Sequence, residues 1–364
     1  MVHRCGLQLG PALFTAGLMN VVTGVVFRIP MPVQPMKAIA AVAIAEGLNE
    51  AQILAAGLVT SAVILLLAVT GLIDRLNRAL PRSVVRGLQL ALGLKLLIGG
   101  LTMIIDTEVL IGWDSVGLGV LCSCLVLLLY FSTRVPGALV VFAVGLVALV
   151  AAQPSLISET RLGISWHLPE LGQGRDWTAG TLRAALPQIP LTTLNSVIAV
   201  SALSVDLFPQ RPAAPRRVAV SVALMNLLCC PFGGMPMCHG AGGLAAQYRF
   251  GARTGGSVVM LGVAKIALAL LLGTSLLLWL HAYPKSVLGV LLLFSGLELG
   301  MVCRDQRRRV DYFVMLVTAG ACLAANTAVG FVIGWVVAGL LVWGVFRLEP
   351  PPENGPGNGN RPGE

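Results

Sequence analysis

Few side chains in this sequence can do chemistry, and most of those lie at two breaks in otherwise apolar sequence. The first break is Pro30-Met31-Pro32-Val33-Gln34-Pro35-Met36-Lys37. Its three prolines each remove a backbone N–H and push the preceding residue toward extended geometry, so the stretch cannot be helix interior. A short helix is expected to start near Gln34–Lys37, its N-terminus pointing into the protein. Lys37 would bring a full positive charge to the first turn. The second break is Pro236-Met237-Cys238-His239-Gly240-Ala241-Gly242-Gly243. There His239 offers an imidazole, and the glycines let a backbone approach closely. These groups can hold a ligand by charge and hydrogen bonds. No nucleophile–base arrangement, nucleotide-phosphate loop or metal-ligand spacing accompanies them, so neither an enzyme nor a bound cofactor or metal is expected.

Each residue has a plain structural alternative. Lys37 either serves a ligand or snorkels to a surface or pairs with a carboxylate. His239 is either a ligand donor or a satisfied structural donor. Gln34 is a neutral donor on the first break, and Cys238 reads as packing. Thr192, Thr193, Asn195 and Ser196 put four hydrogen-bonding side chains into five positions. They either line a cavity loosened by Pro187 and Pro190 or join helices together, with Thr192 and Asn195 sharing a face. Asp206 is a gate or a cap. Lys95, Lys265 and Glu298 lie in apolar stretches, and Glu298 with either lysine is a structural ion pair or part of a proton path.

The surrounding sequence says what must position them. Hydrophobic residues make up 56% and charged residues 11%, with mean hydropathy +0.86. A soluble domain has about 25% charged residues, so this is an all-α polytopic membrane protein in contact with the lipid bilayer. Apolar spans are expected at about 11–27, 36–46, 51–73, 84–105, 115–132, 136–153, 184–206, 217–233, 239–248, 255–280, 285–302, 310–326 and 328–346, about thirteen segments. The net charge of +9 sits mostly in loops and reports topology, not nucleic-acid binding. Arg75, Arg78, Arg82, Arg86, Arg134, Arg211, Arg216, Arg217, Arg249, Arg253, Arg304, Arg307–Arg309 and Arg347 fall on one side if every span crosses once. That side is expected to be cytoplasmic, with the C-terminus inside and the N-terminus outside. The eight cysteines read as small core residues.

The two breaks are copies of one another. Leu18-Met19-Asn20 precedes Pro30-Met31 as Leu224-Met225-Asn226 precedes Pro236-Met237, both at an offset of 206. On that offset Gln34 to Lys37 falls on Gly240 to Gly243. Seven crossings separate the copies, an odd number, so they are oppositely oriented. Paired interrupted segments in inverted halves point to a transporter's binding site. The expected organisation is a first repeat over 1–153, an extracytoplasmic loop over 154–183, a second repeat over 184–346, and a disordered tail over 347–364. Pro30, Pro32, Pro35, Pro190 and Pro236 are the expected breaks.

Three segments carry a resemblance. Pro30–Ala43, Pro187-Gln188-Ile189-Pro190-Leu191-Thr192-Thr193-Leu194-Asn195-Ser196 and Met235–Ala245 together resemble the molybdate transporter family, a branch of the sulfate permease superfamily. The similarity runs from about residue 11 to 346. It implies two inverted repeats of seven helices divided into a core and a gate domain, a site between two half-helices at the midplane, elevator-like alternating access, and a possible homodimer. It also implies a first helix rich in Gly with acidic residues. This chain begins after that helix, through a misassigned start or a truncation, which bears on the site and on any proton-coupled symport.

Molybdate is a tetrahedral dianion, and two opposed half-helix N-termini would offer it free N–H groups and two positive dipole ends. The substrate-binding set expected on this basis is Gln34, Met36, Lys37, Thr192, Thr193, Asn195, Ser196, His239, Gly240, Ala241 and Gly242. Asp206 and Glu298 are candidates for coupling or gating. The expected function is secondary active transport of molybdate across a plasma (inner) membrane. Alternatives are a sulfate or general oxyanion carrier and, from another class, a sensor or an inactive truncated copy.

Overall fold

The computed structural model describes residues 5–130, 135, 137–164, 168–343 and 345. Arg134, Arg347 and the tail 347–364 lie outside the described residues. In chain order the longer helices are α1 (Leu9–Phe27), α2 (Lys37–Glu46), α3 (Glu50–Val69), α4 (Leu72–Ala79), α5 (Arg82–Ile105), α6 (Val116–Leu128), α7 (Gly137–Ala152), α8 (Gly174–Leu207), α9 (Pro215–Cys229), α10 (Ala241–Arg249), α11 (Gly256–Leu272), α12 (Leu276–Ala282), α13 (Lys285–Met301), α14 (Arg309–Ala324) and α15 (Thr327–Val342), with a short helical turn at Ser155–Glu159. Among the described residues five spans, Leu9–Phe27, Glu50–Val69, Arg82–Ile105, Gly174–Leu207 and Lys285–Asp305, are long and apolar enough to cross a membrane.

Every apolar stretch of the sequence carries a helix, with informative departures. The stretch 51–73 stops at Val69, and Gly71, in the left-handed region at φ 71°, starts the separate helix α4 that carries Arg75 and Arg78. The stretch 255–280 is two helices bent by 116° at Gly273. Helix α8 begins at Gly174, ten residues before the expected 184, which shortens the loop expected over 154–183. A capping box between Gln173 and Asp176 starts it. Nor does Pro190 break α8. The helix runs through it, and π-helical segments at Thr181–Ala185 and Thr192–Ala199 lie on either side. Wider turns of this kind accommodate carbonyls freed by a missing N–H and recur at functional sites.

Two groups of helices form. In one, α1 lies along α11 and α9 along α3, while α8 packs on α2 and α3. In the other, α5 lies along α13, α14 packs on α5 and α15, and α6 packs on α13 and α7. Exchanging the halves turns the α1–α11 pairing into α9–α3, and α14–α5 into α6–α13. That is inverted-repeat symmetry expressed in packing.

Helices in lipid gain little from apolar burial against one another, so association rests on close contact. Gly17 and Gly24 of α1 face Gly262 and Gly255 at the α1–α11 seam, and Gly93 and Gly100 of α5 face Gly296 and Gly289 of α13. A Cβ on Gly17 would stand 2.7 Å from the Gly262 carbonyl oxygen, and one on Gly93 2.9 Å from that of Gly296. Only glycine permits either approach. In all four cases the glycines are seven apart, two helical turns, so each pair lies on one face.

Candidate functional site

The two breaks meet. After α1, Arg28 takes a left-handed conformation (φ 58°) and the chain runs extended through Pro30 and Pro32. Gln34–Pro35 (β1) pairs antiparallel with Met237–Cys238 (β2), with Gln34 opposite Cys238 and Pro35 opposite Met237. The Met36 N–H donates to the Pro236 carbonyl at 2.8 Å. Extended backbone at membrane depth leaves polar groups that must be satisfied within the protein, and each break satisfies the other. The short helices α2 and α10 start immediately beyond, capped by Met36 and Gly240.

The internal register is not the constant offset that the sequence repeat suggests. Helix α2 starts at 37 and α10 at 241, an offset of 204 where the Asn and Pro words differ by 206. The second break is two residues shorter. Lys37 is therefore the counterpart of Ala241, not of Gly243, and Gln34 that of Cys238.

Asn226 and His239 hold the strands in place. The buried Asn226 amide pairs with the backbone of Met237 in both directions, accepting from its N–H at 2.6 Å and donating to its carbonyl at 2.7 Å. His239 is fully buried, with Nδ1 2.8 Å from the Pro32 carbonyl and Nε2 2.9 Å from Ser221 Oγ, and its ring meets Phe27 edge-on. Both ring nitrogens are thus engaged by protein groups. In this arrangement the imidazole staples the second break to the first.

The helix N-termini are finished differently. At α2, the Gln188 side-chain oxygen accepts from the N–H groups of Ala38 (2.8 Å) and Ile39 (3.2 Å), while its Nε2 donates to Thr192 Oγ1 (2.8 Å). A residue 150 positions away does the work of an N-cap. Lys37 keeps an exposed side chain within electrostatic reach of Lys95 and Cys238. At α10, the N–H groups of Ala241, Gly242 and Gly243 meet no acceptor among the described residues. A Cβ at Gly240 would run into the Gln34 amide, and one at Gly242 would come within 2.8 Å of Leu96 on α5.

The polar cluster on α8 is wholly inward. Thr192, Thr193, Asn195 and Ser196 are all buried, on the π-helical turn that packs against α5, α9 and α10. Thr193 donates back to the Ile189 carbonyl at 2.9 Å, and Ser196 lies within electrostatic reach of the Cys238 thiol. Met36 is buried beneath the site. Thus Gln34, Lys37, Thr192, Ser196, His239, Gly240 and Gly242 converge on the strand pair.

The other charged candidates separate. Lys95 Nζ donates to the Cys322 carbonyl at 3.1 Å, and Lys265 Nζ to Asn20 Oδ1 at 2.9 Å, so neither is paired with Glu298. Glu298 instead lies in the field of Arg249, Arg253 and Arg304. Arg86, expected in a loop, is 7% exposed and holds Asp206 of α8 at 2.6 Å and Asp305 at 2.5 Å. Asp206 is thereby an ion-pair partner rather than a simple cap, and it joins the two helix groups.

Sequence reasoning passed over Gln188, Asn226, Ser221 and Arg86. For Asn226 a signal existed, because a polar residue recurring in an apolar repeat word (Asn20, Asn226) is costly and must have partners.

A sequence model of the family described as "Molybdate transporter of MFS superfamily" matches residues 1–96 and 180–299, more than half of the chain. "Molybdate transporter 1" of Arabidopsis thaliana is 39% identical over 96% of this chain and 86% of its own length. "Molybdate transporter 2" of the same plant is 41% identical over 92% and 82%, and "Molybdate transporter 1" of Chlamydomonas reinhardtii 37% identical over 92% and 86%. Among solved structures, SLC26A9 superposes with a TM-score of 0.60 at 14% identity, over 94% of this chain and 65% of its own length. The transmembrane domain of the cyanobacterial bicarbonate transporter BicA superposes with a TM-score of 0.57 at 15% identity, over 91% of this chain and 88% of that one. At such identities the structural likeness carries the fold alone, the inverted repeat of this transporter class, while the sequence matches carry the family. The chain belongs to the molybdate transporter family.

Proposed function

We propose that this chain moves molybdate across a membrane by alternating access, holding the dianion between the N-termini of α2 and α10. The observation that carries the reading is the meeting of two broken segments at β1 and β2, with Lys37 in the first turn of α2 and N–H groups at α10 that meet no acceptor among the described residues. An anion there gains from both helix dipoles. Lys37 supplies the full charge, Gly240, Ala241 and Gly242 supply N–H groups, and Thr192, Asn195 and Ser196 line the approach. Gln34 and Met36 shape the floor, Thr193 anchors the π-turn, and His239 positions the strands.

Residues 1–153 and 174–346 form the two repeats, and the strand-pair group moves against the α5–α13 group. The Arg86–Asp206 pair spans those groups. It closes the arginine-rich side, which the positive-inside rule makes cytoplasmic, in a plasma membrane. Glu298, among arginines, balances charge near the same face. Two copies assemble as a homodimer.

A sulfate or general oxyanion carrier is the competing reading, since sulfate and molybdate share shape and charge. Uptake of labelled molybdate by cells expressing the chain, at nanomolar substrate and with or without a large excess of sulfate, separates the two. Uptake that survives sulfate supports the molybdate reading, and uptake lost to sulfate supports the broader carrier. No uptake at normal membrane insertion supports a sensor or inactive protein.

A further inference from the structure

A recess of about 460 Å³ opens where the end of α1 meets the start of α9. Small-ligand sites span roughly 300–1,000 Å³. Arg28, Arg211 and Arg217 line it beside Val25, Val26 and Phe27, and no carboxylate is among its lining residues. Among the described residues none of the three arginines lies within ion-pair distance of a carboxylate. Arg217 is held in place. It donates to the Val26 carbonyl at 2.6 Å, and its guanidinium stands 5.1 Å from the Phe27 ring centroid. Along α1 from the recess, Leu18, Val22 and Val26 are exposed at every fourth position, one apolar stripe on one face of the helix.

The inverted repeat supplies an internal control. Helices α1 and α9 start in register, at Leu9 and Pro215, on the offset of 206. Leu18, Val22 and Val26 then answer to Leu224, Leu228 and Phe232, which are exposed too although α8 packs on α9. The open apolar face therefore belongs to the repeat itself. The contact at its end is repeated as well, since Phe27 against Arg217 answers to Gly233 against Pro11. The charges are not repeated. Arg28, Arg211 and Arg217 answer to Gly234, Cys5 and Pro11. Packing at this place in the fold thus does not require arginine. A bilayer differs between its two sides in the same sense, because anionic headgroups collect at the cytoplasmic leaflet. The geometry points to a binding site for an anionic phospholipid, its phosphate held by Arg28, Arg211 and Arg217 and an acyl chain lying along Leu18, Val22 and Val26. A planar guanidinium suits this task because it meets phosphate oxygens in pairs. Which leaflet supplies the lipid rests on the orientation read above, and the binding is independent of which anion the chain carries.

Native mass spectrometry of the purified full chain in detergent, titrated with phosphatidylglycerol or with phosphatidylcholine, tests it. The wild type should hold phosphatidylglycerol about 10- to 100-fold more tightly. Arg28→Gln, Arg211→Gln and Arg217→Gln combined should abolish that preference. Arg307→Gln, Arg308→Gln and Arg309→Gln combined remove the same charge from elsewhere on the arginine-rich side and should keep it. Arg28 has a left-handed backbone (φ 58°), which glycine adopts without strain, so Arg28→Gly leaves the fold intact and should cost about fivefold in phosphatidylglycerol affinity. No preference in the wild type, equal losses in the two triple variants, or an unchanged preference in Arg28→Gly overturns the proposal. Displacement of the lipid by excess inorganic phosphate also overturns it, by marking the recess as a site for a soluble anion.

Discussion

Helices α2 and α10 follow the same repeated words in sequence and are opposites in how their first turns are completed. At α2 two first-turn N–H groups are covered by Gln188, and a lysine stands in the same turn. At α10 the corresponding N–H groups meet no acceptor among the described residues, and the first turn is the uncharged Ala-Gly-Gly. One terminus thus offers charge and the other offers geometry. A transporter must grip its cargo and release it. A single mobile charge opposite a rigid donor cradle binds through two contacts, each of which can be lost separately. Two bare N-termini would bind with less dependence on any one side chain, and two lysines would hold a dianion too tightly.

The largest effect expected of any substitution is at the charged terminus. Lys37→Met removes a charge-assisted contact of about 1.5–3 kcal/mol, and uptake of labelled molybdate at limiting substrate should fall about 10- to 100-fold with membrane insertion unchanged. Equal uptake at matched expression would mean that α2 contributes no charge to binding.

Gln188 comes next. Gln188→Glu keeps an acceptor over Ala38 and Ile39 but sets a negative charge at the α2 N-terminus, where it neutralises Lys37. Uptake should fall about tenfold while thermal stability in detergent holds. Gln188→Leu should do the reverse: it strands two N–H groups, at about 1–3 kcal/mol for each buried group left unpaired, and lowers the melting temperature. If the two variants lose stability equally, Gln188 does not cap α2.

At the uncharged terminus the expected changes are steric. Gly240→Ala collides with the Gln34 amide, and Gly242→Ala with the end of Leu96, a flexible side chain. Uptake should therefore drop several-fold for Gly240→Ala and less for Gly242→Ala, measured as the substrate concentration giving half-maximal uptake. The opposite ranking would place the anion away from Gly240. The smallest effect belongs to a residue remote from both termini. Asp206→Asn frees half of the Arg86 grip on a partly exposed pair, worth about 1 kcal/mol at most. Maximal uptake should shift up to about fivefold, with substrate affinity unchanged.

The comparison also marks what the sequence could reveal. Both breaks, their pairing and the inverted halves were legible, because proline restricts local geometry and the words Leu-Met-Asn and Pro-Met recur. The burial of Thr192–Ser196 followed from crowding polar groups into one turn. The offset at the helix starts is 204 and not the 206 of the repeated words, because two residues are missing between Met237 and α10, a stretch where no word repeats. The early start of α8 was hidden by its polar first turn, Gly174–Gly180, which hydropathy reads as loop although Gln173 and Asp176 signal a cap. Gln188 over α2 and Arg86 between Asp206 and Asp305 are contacts across more than one hundred residues, and no local period encodes them. The seven-residue glycine spacing at the two seams was present in the sequence, but only the facing helix gives it meaning.

The account stands most directly on where the molybdenum atom sits. Crystals of the wild-type chain grown with molybdate, measured across the molybdenum absorption edge, would locate it by element in an anomalous difference map. The account predicts a peak between the first turns of α2 and α10, within hydrogen-bonding reach of Lys37 Nζ and the Gly242 N–H. A map whose only molybdenum peaks lie away from both helix N-termini would contradict it.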